Sequence, residues 1–258
     1  MPDQFISPDA QIGRGNKIGR GVIIDARVRI GDNNVIRDYA VLTGRTEIGH
    51  GNHIGGHVHI GEIPTHTRDK FEFLSTEVPT SPGLIRIGNG NVIREYSEFS
   101  MPTGTVTEIR NNCYISTHCH IPHDSVIEDG VNMANHSSPG GHNRVMEGAN
   151  FGKAVHIHPR VVVGAYSMLG VGAVVIHNVL PGTTAVGNPA RIHGVNRIGL
   201  ERNGFSESEI QEFAKILETP RNELPEADSY SPKVSAVLHR FLEALNGARD
   251  HRLLRRAD

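Results

Sequence analysis

Histidine supplies most of the chemistry open to this chain, which carries 16 histidines in 258 residues. Many fall between His118 and His158. A near-neutral imidazole can take a proton from a hydroxyl or an amine as it attacks a carbonyl, or it can ligate a metal ion. His123 is followed by Asp124, a carboxylate suited to fix the imidazole tautomer and raise its basicity. His118 and His123 stand in the spacing H-x4-H, which a metal site would also use. The third reading is that these histidines are solvated residues of surface turns. Neither cysteine, Cys113 nor Cys119, is placed as a nucleophile.

The elements that carry these residues follow a period of six. Aliphatic residues recur at Ile6, Ile12, Ile18, Ile24, Ile30, Ile36, Leu42, Ile48, Ile54 and Ile60. The period fits neither a helix nor a long alternating strand. It fits a coil in which each hexad gives one short strand and one turn, with aliphatic residues inward and Gly, Asn and Asp at the turns. The hits resume at Ile87, Ile93 and Phe99, and then at Ile109, from which they run through Ile115, Ile121 and Ile127 to Val175, with Pro139 alone out of character. The two breaks predict loops at about 61–84 and 100–108.

The pattern resembles the left-handed parallel β-helix of hexapeptide-repeat transferases, whose prism has three hexads, or 18 residues, per coil. Handedness follows from that resemblance only. The fold class is therefore all-β, a β-helix over residues 1–190, with a small helical domain over 191–258. In the latter, Ser206 and Glu209 make a capping box ahead of Ile210 and Phe213. A second helix is expected from Ser231-Pro232, with Gly247 beyond its end. With 18 residues per coil, Ile121, Pro139 and Ile157 stack on one prism face, and His123, His142 and His158 follow them on one side.

Composition excludes several classes. A formal charge of −2 gives no basic field for nucleic acid. No apolar stretch is long enough to span a membrane. The first ten residues lack the basic and apolar regions of a signal peptide, and two cysteines suit a reducing compartment. The expected location is the cytoplasm.

A closer resemblance rests on His118-Cys119-His120-Ile121-Pro122-His123-Asp124, Gly140-Gly141-His142, Val155-His156-Ile157-His158, Gly187-Asn188-Pro189-Ala190, Gly194-Val195-Asn196 and Leu200 to Ser206. Together these resemble the UDP-N-acetylglucosamine O-acyltransferase family of lipid A biosynthesis. The resemblance implies acyl transfer from acyl carrier protein to a hydroxyl or amine of a nucleotide-linked sugar. No cofactor or metal is implied. It makes His123 the general base, Asp124 its orienting carboxylate and Gly141 the amide that polarises the thioester. It places His120 and His142 near the sugar and acyl groups, and His158, Asn196 and Arg202 on the nucleotide or donor side. It also implies a homotrimer with sites between subunits. Pro159, Pro102-Thr103-Gly104-Thr105 and the lengthened first loop depart from the family pattern; Asp69 and Lys70 in that loop correspond loosely to an acceptor-binding pair. Val171 stands at the far end of the acyl groove, where a bulkier residue than glycine would shorten the accepted chain. A coenzyme-A-dependent sugar acetyltransferase, and a metalloenzyme like the γ-class carbonic anhydrases, are the alternatives that share this scaffold.

Overall fold

The computed structural model describes residues 4–64, 83–219, 223–248, 250–254 and 256. Asp69 and Lys70 lie outside the described residues.

Short strands wind into a β-helix with three parallel faces, the strands of each face following one another at every third element, as in β1(Gln4–Ile6), β4(Val22–Ile24) and β7(Val41–Leu42). Pairing steps by one coil: Val35 opposes His53 and Ile36 opposes Ile54. The residues of the six-fold period point inward, and Ile24, Ile36, Ile54, Ile60, Ile93 and Phe99 are fully enclosed. Each such side chain contributes about 1.5–3 kcal/mol by leaving water. A second column inside the prism is polar. Asn34, Asn52 and Asn91 are buried, and each side-chain oxygen accepts from the backbone amide one coil further on. Stacked asparagines thus satisfy one another where an isolated buried amide would be costly.

The turns explain the rest of the composition. Many corner residues adopt left-handed backbone with φ near 60°, among them Asn33, Asn112, Tyr39, His57, His118, Asp124, His136 and His142. Asn, Asp and His tolerate this region better than most residues, so part of the histidine excess is conformational in origin.

The faces resume pairing after both insertions, with one register shift between Ile60 and Glu62. His59 opposes Glu98 across the first, and Glu98 opposes His120 across the second. The chain leaves the prism after β10(His59–Glu62) and returns at β11(Leu84–Ile87). The second loop is shorter than the period predicts: β13(Glu98–Ser100) and β14(Val106–Ile109) confine it to 101–105. At the far end the coil first shortens, Leu169 opposing Ala185, and then the chain reverses. β26(Ala190–Val195) runs antiparallel to β25(Thr183–Gly187), and helix begins only at α1(Arg197–Arg202).

The capping box at Ser206 starts α2(Glu207–Ile216), and Pro232 occupies the first turn of α3(Pro232–Leu245). An ionic latch holds α3 to the β-helix. Glu128, with no exposed surface, binds Arg240 of α3 and Arg144 of the prism, the latter at 2.6 Å. Arg240 also reaches Glu147 at 2.7 Å. A buried carboxylate without these partners would be strongly destabilising. No helix among the described residues is long and apolar enough to cross a membrane.

Candidate active site

The site forms where the sheet is interrupted. Pro122 and Pro139 sit on successive coils of the same face, and neither has an amide to donate to the ladder. The strand series that runs up this face therefore stops at β16(His120–Ile121). Only a single bridge, between Ser138 and His156, carries it toward β21(His156–Ile157). His123 and Asp124 occupy the turn just after the break.

His123 Nδ1 and Asp124 Oδ2 are 2.9 Å apart. The two side chains are 12% and 8% exposed. Three further donors hold the carboxylate. The Thr103 hydroxyl donates to Oδ2 at 2.6 Å, the Thr103 amide to Oδ2 at 3.1 Å and the Gly104 amide to Oδ1 at 2.8 Å. Burial would push the Asp124 carboxyl up. The hydrogen bonds from His123, Thr103 and Gly104 outweigh it and hold the group well below its ordinary value of 3.8. A charged Asp124 carboxylate beside Nδ1 favours the tautomer with the proton on Nδ1, which leaves the lone pair on Nε2.

One coil on, the His142 ring lies edge-on to His123, centroids 5.1 Å apart. Its Nε2 is 3.8 Å from Asp124 Oδ2. Gly141 packs directly against His123. A Cβ there would stand 2.7 Å from the His123 ring, so only glycine allows this approach. On the adjoining face His120 Nδ1 is 2.5 Å from Glu98 Oε1. Both cysteines are buried, and burial pushes the Cys113 thiol up to about 12, which keeps it a protonated bystander.

Thr103, Gly104 and Glu98 are the functional candidates that sequence reasoning missed. All three sit beside the second insertion, whose extra residues hide the one-coil spacing that would have aligned them with Asp124 and His120. The H-x4-H pair is not assembled into one site. His118 stacks on Tyr96 and His136 at another corner. Among the described residues, the group of three or more His, Cys, Asp or Glu with ligand atoms mutually close enough for a metal is His123, Asp124 and His142.

Known proteins match both ends of the chain. A family model described as UDP-N-acetylglucosamine O-acyltransferase, domain 2, covers residues 178–228, and one for the bacterial transferase hexapeptide covers 9–44. The acyl-[acyl-carrier-protein]–UDP-N-acetylglucosamine O-acyltransferase of Gloeothece citriformis is 36% identical over 179 residues, which is 69% of this chain and 62% of that one. Its counterpart from Thiobacillus denitrificans is 38% identical over 154 residues, 57% and 60% of the two chains. The chain belongs to the UDP-N-acetylglucosamine O-acyltransferase family. It spans about three fifths of the length of these relatives. A solved UDP-N-acetylglucosamine acyltransferase from Bacteroides fragilis, 28% identical, has a TM-score of 0.82 with 99% of each chain covered.

Within this O-acyltransferase-family chain the remaining predicted residues lie apart from His123. His158 is exposed two coils further on, its Nδ1 3.1 Å from the Pro159 carbonyl. Asn196 caps α1, accepting from the Gly199 amide and donating to the Tyr166 carbonyl at 2.8 Å. Arg202 is exposed in the last turn of that helix. Val171 projects from a turn with 74% of its surface exposed.

Proposed function

We propose that this chain transfers an acyl group from acyl carrier protein to a hydroxyl of UDP-N-acetylglucosamine or a closely similar nucleotide-linked amino sugar. The observation that carries the reading is the His123–Asp124 dyad packed against Gly141. The sugar hydroxyl attacks the thioester carbonyl carbon while His123 Nε2 takes its proton. The Gly141 amide donates to the developing oxyanion. Collapse breaks the carbon–sulfur bond, and His123 returns the proton to the departing thiolate. Asp124 stabilises the imidazolium formed between these steps. The names of the Gloeothece and Thiobacillus relatives specify the same donor and acceptor.

The reading includes a homotrimer. Asn196 is tied to the corner that bears Tyr166, whereas His123 belongs to the corner of Asp124 and His142. A site between copies would let His158, Asn196 and Arg202 serve the base of a neighbour. The cytoplasm is the compartment that supplies these substrates.

The test is a product assay with the purified protein, acyl carrier protein donors of several chain lengths and UDP-N-acetylglucosamine, read by mass spectrometry. An acylated nucleotide sugar supports the assignment, and the preferred chain length reports on Val171. Turnover with acyl-coenzyme A but not with acyl carrier protein would replace the donor. No acylated sugar with either donor would sink the reading.

A further inference from the structure

We propose that His123, Asp124 and His142 also form a binding site for one divalent transition ion, zinc being the natural probe, and that an ion seated there withdraws the base from catalysis. The first half stands on the geometry alone, whereas the second rests on the acyl-transfer reading.

The donor set selects the ion class. Two imidazole nitrogens and one carboxylate oxygen suit zinc, cobalt or nickel, whereas magnesium and calcium favour all-oxygen cages. The spacing suits such an ion as well. Neighbouring ligands of tetrahedral zinc with bonds of about 2.0–2.2 Å lie about 3.3–3.6 Å apart. Here His123 Nδ1 is 2.9 Å and His142 Nε2 3.8 Å from Asp124 Oδ2, and the three residues can each offer a ligand atom within 4.8 Å of the other two. The two carboxylate–imidazole spacings are within about half an ångström of these values, and the two imidazoles would draw together to complete the set.

The backbone holds the three ligands near one another. Asp124 and His142 both occupy left-handed turn positions, with φ of 59° each. The His142 amide donates to the His123 carbonyl at 3.1 Å, which fixes one coil on the next. Gly104 orients the carboxylate through Oδ1, the kind of support that metal ligands need, whereas the Thr103 hydroxyl donates to Oδ2 itself and would share that oxygen with the ion. His142 is 32% exposed, which gives an ion a route from solvent. An ion bound to Nδ1 breaks the His123–Asp124 hydrogen bond on which the basicity of Nε2 depends.

The experiment titrates the full-length protein with zinc by calorimetry and with cobalt by visible absorption. One ion per chain is expected, with the d–d bands of a site containing nitrogen ligands. Replacing His142 with Ala should weaken binding at least tenfold, and His142→Gln, whose fold circular dichroism verifies independently, should do the same. Double replacement of His118 and His136 by Ala should leave binding unchanged. Undiminished affinity in both His142 variants, or loss of the ion in the His118/His136 variant, would overturn the site. Zinc should inhibit acyl transfer at the concentration that fills the site, reversibly with chelator. Full occupancy without inhibition would remove the second half of the proposal. A protein that binds zinc but shows no transferase activity with any donor would count against the proposed function and leave the site intact.

Discussion

Two corners of one prism bear histidines on left-handed backbone, and they have become different things. At one corner Tyr39, His57, Tyr96, His118 and His136 stack face to face, with successive centroids 4.9–5.1 Å apart. All five rings are exposed. At the other, His123 and His142 meet edge to face, largely enclosed, with a charged carboxylate between them. The residue type, the backbone and the coil spacing are common to both. What differs is the second loop, which brings the Thr103 hydroxyl and the Gly104 amide onto Asp124, and the paired prolines that open the sheet beneath. In the acyl-transfer reading, a row of histidines becomes a base only where a buried acceptor fixes its tautomer.

The largest test of that contrast is removal of one ring from each corner. His123→Ala should lower acyl transfer about 10²–10⁴-fold, the usual worth of a positioned base. His136→Ala should change the rate less than about twofold, since a stacked surface ring takes no part in proton transfer. Steady-state rates with matched circular dichroism would decide it. Comparable losses at both corners would mean that the ladder belongs to the site.

A second test uses pH. Asp124 has its carboxyl depressed in the folded protein, so it contributes stability that is present above the unfolded value of 3.8 and lost as pH falls below it. Asp124→Asn should cost about 2 kcal/mol near neutrality, the scale of hydrogen bonds to a charged group. The gap between wild type and variant should narrow as denaturation midpoints are measured from pH 6 down to pH 3. A gap that does not vary with pH would show that Asp124 acts by packing and not by charge.

Much of this was legible in the residues because a solenoid makes sequence distance into spatial distance. Ile121, Pro139 and Ile157 share a face by arithmetic, and that placed His142 beside His123. The same arithmetic fails across the insertions. Tyr96 follows His57, and His118 follows Tyr96, by more than one regular coil of sequence, so the ladder is invisible as a period although it is continuous in space. Thr103 and Glu98 were hidden for the same reason. Asn196 is different again: its motif was plain, yet its amide is engaged in capping α1 and bonding Tyr166, contacts that only the folded hairpin creates.

The smallest expected effect asks whether the ladder stabilises the fold at all. His118 is stacked on both sides, by Tyr96 and by His136, whereas Tyr39 ends the column. Stacked aromatic pairs are worth about 0.5–1.5 kcal/mol beyond the area they bury, and exposure to water puts these at the lower end. His118→Ala removes two contacts and should cost about 1 kcal/mol, a fall of about 2–4 °C in Tm for a chain of this size. Tyr39→Ala removes one ring contact and should cost about half as much. Equal costs, or none, would mean that the rings merely occupy turns whose backbone favours histidine. The corner would then differ from that of His123 in lacking any energetic role, and the Asp124 carboxylate, with the loop and prolines that position it, would be what turns a tolerated residue into a useful one.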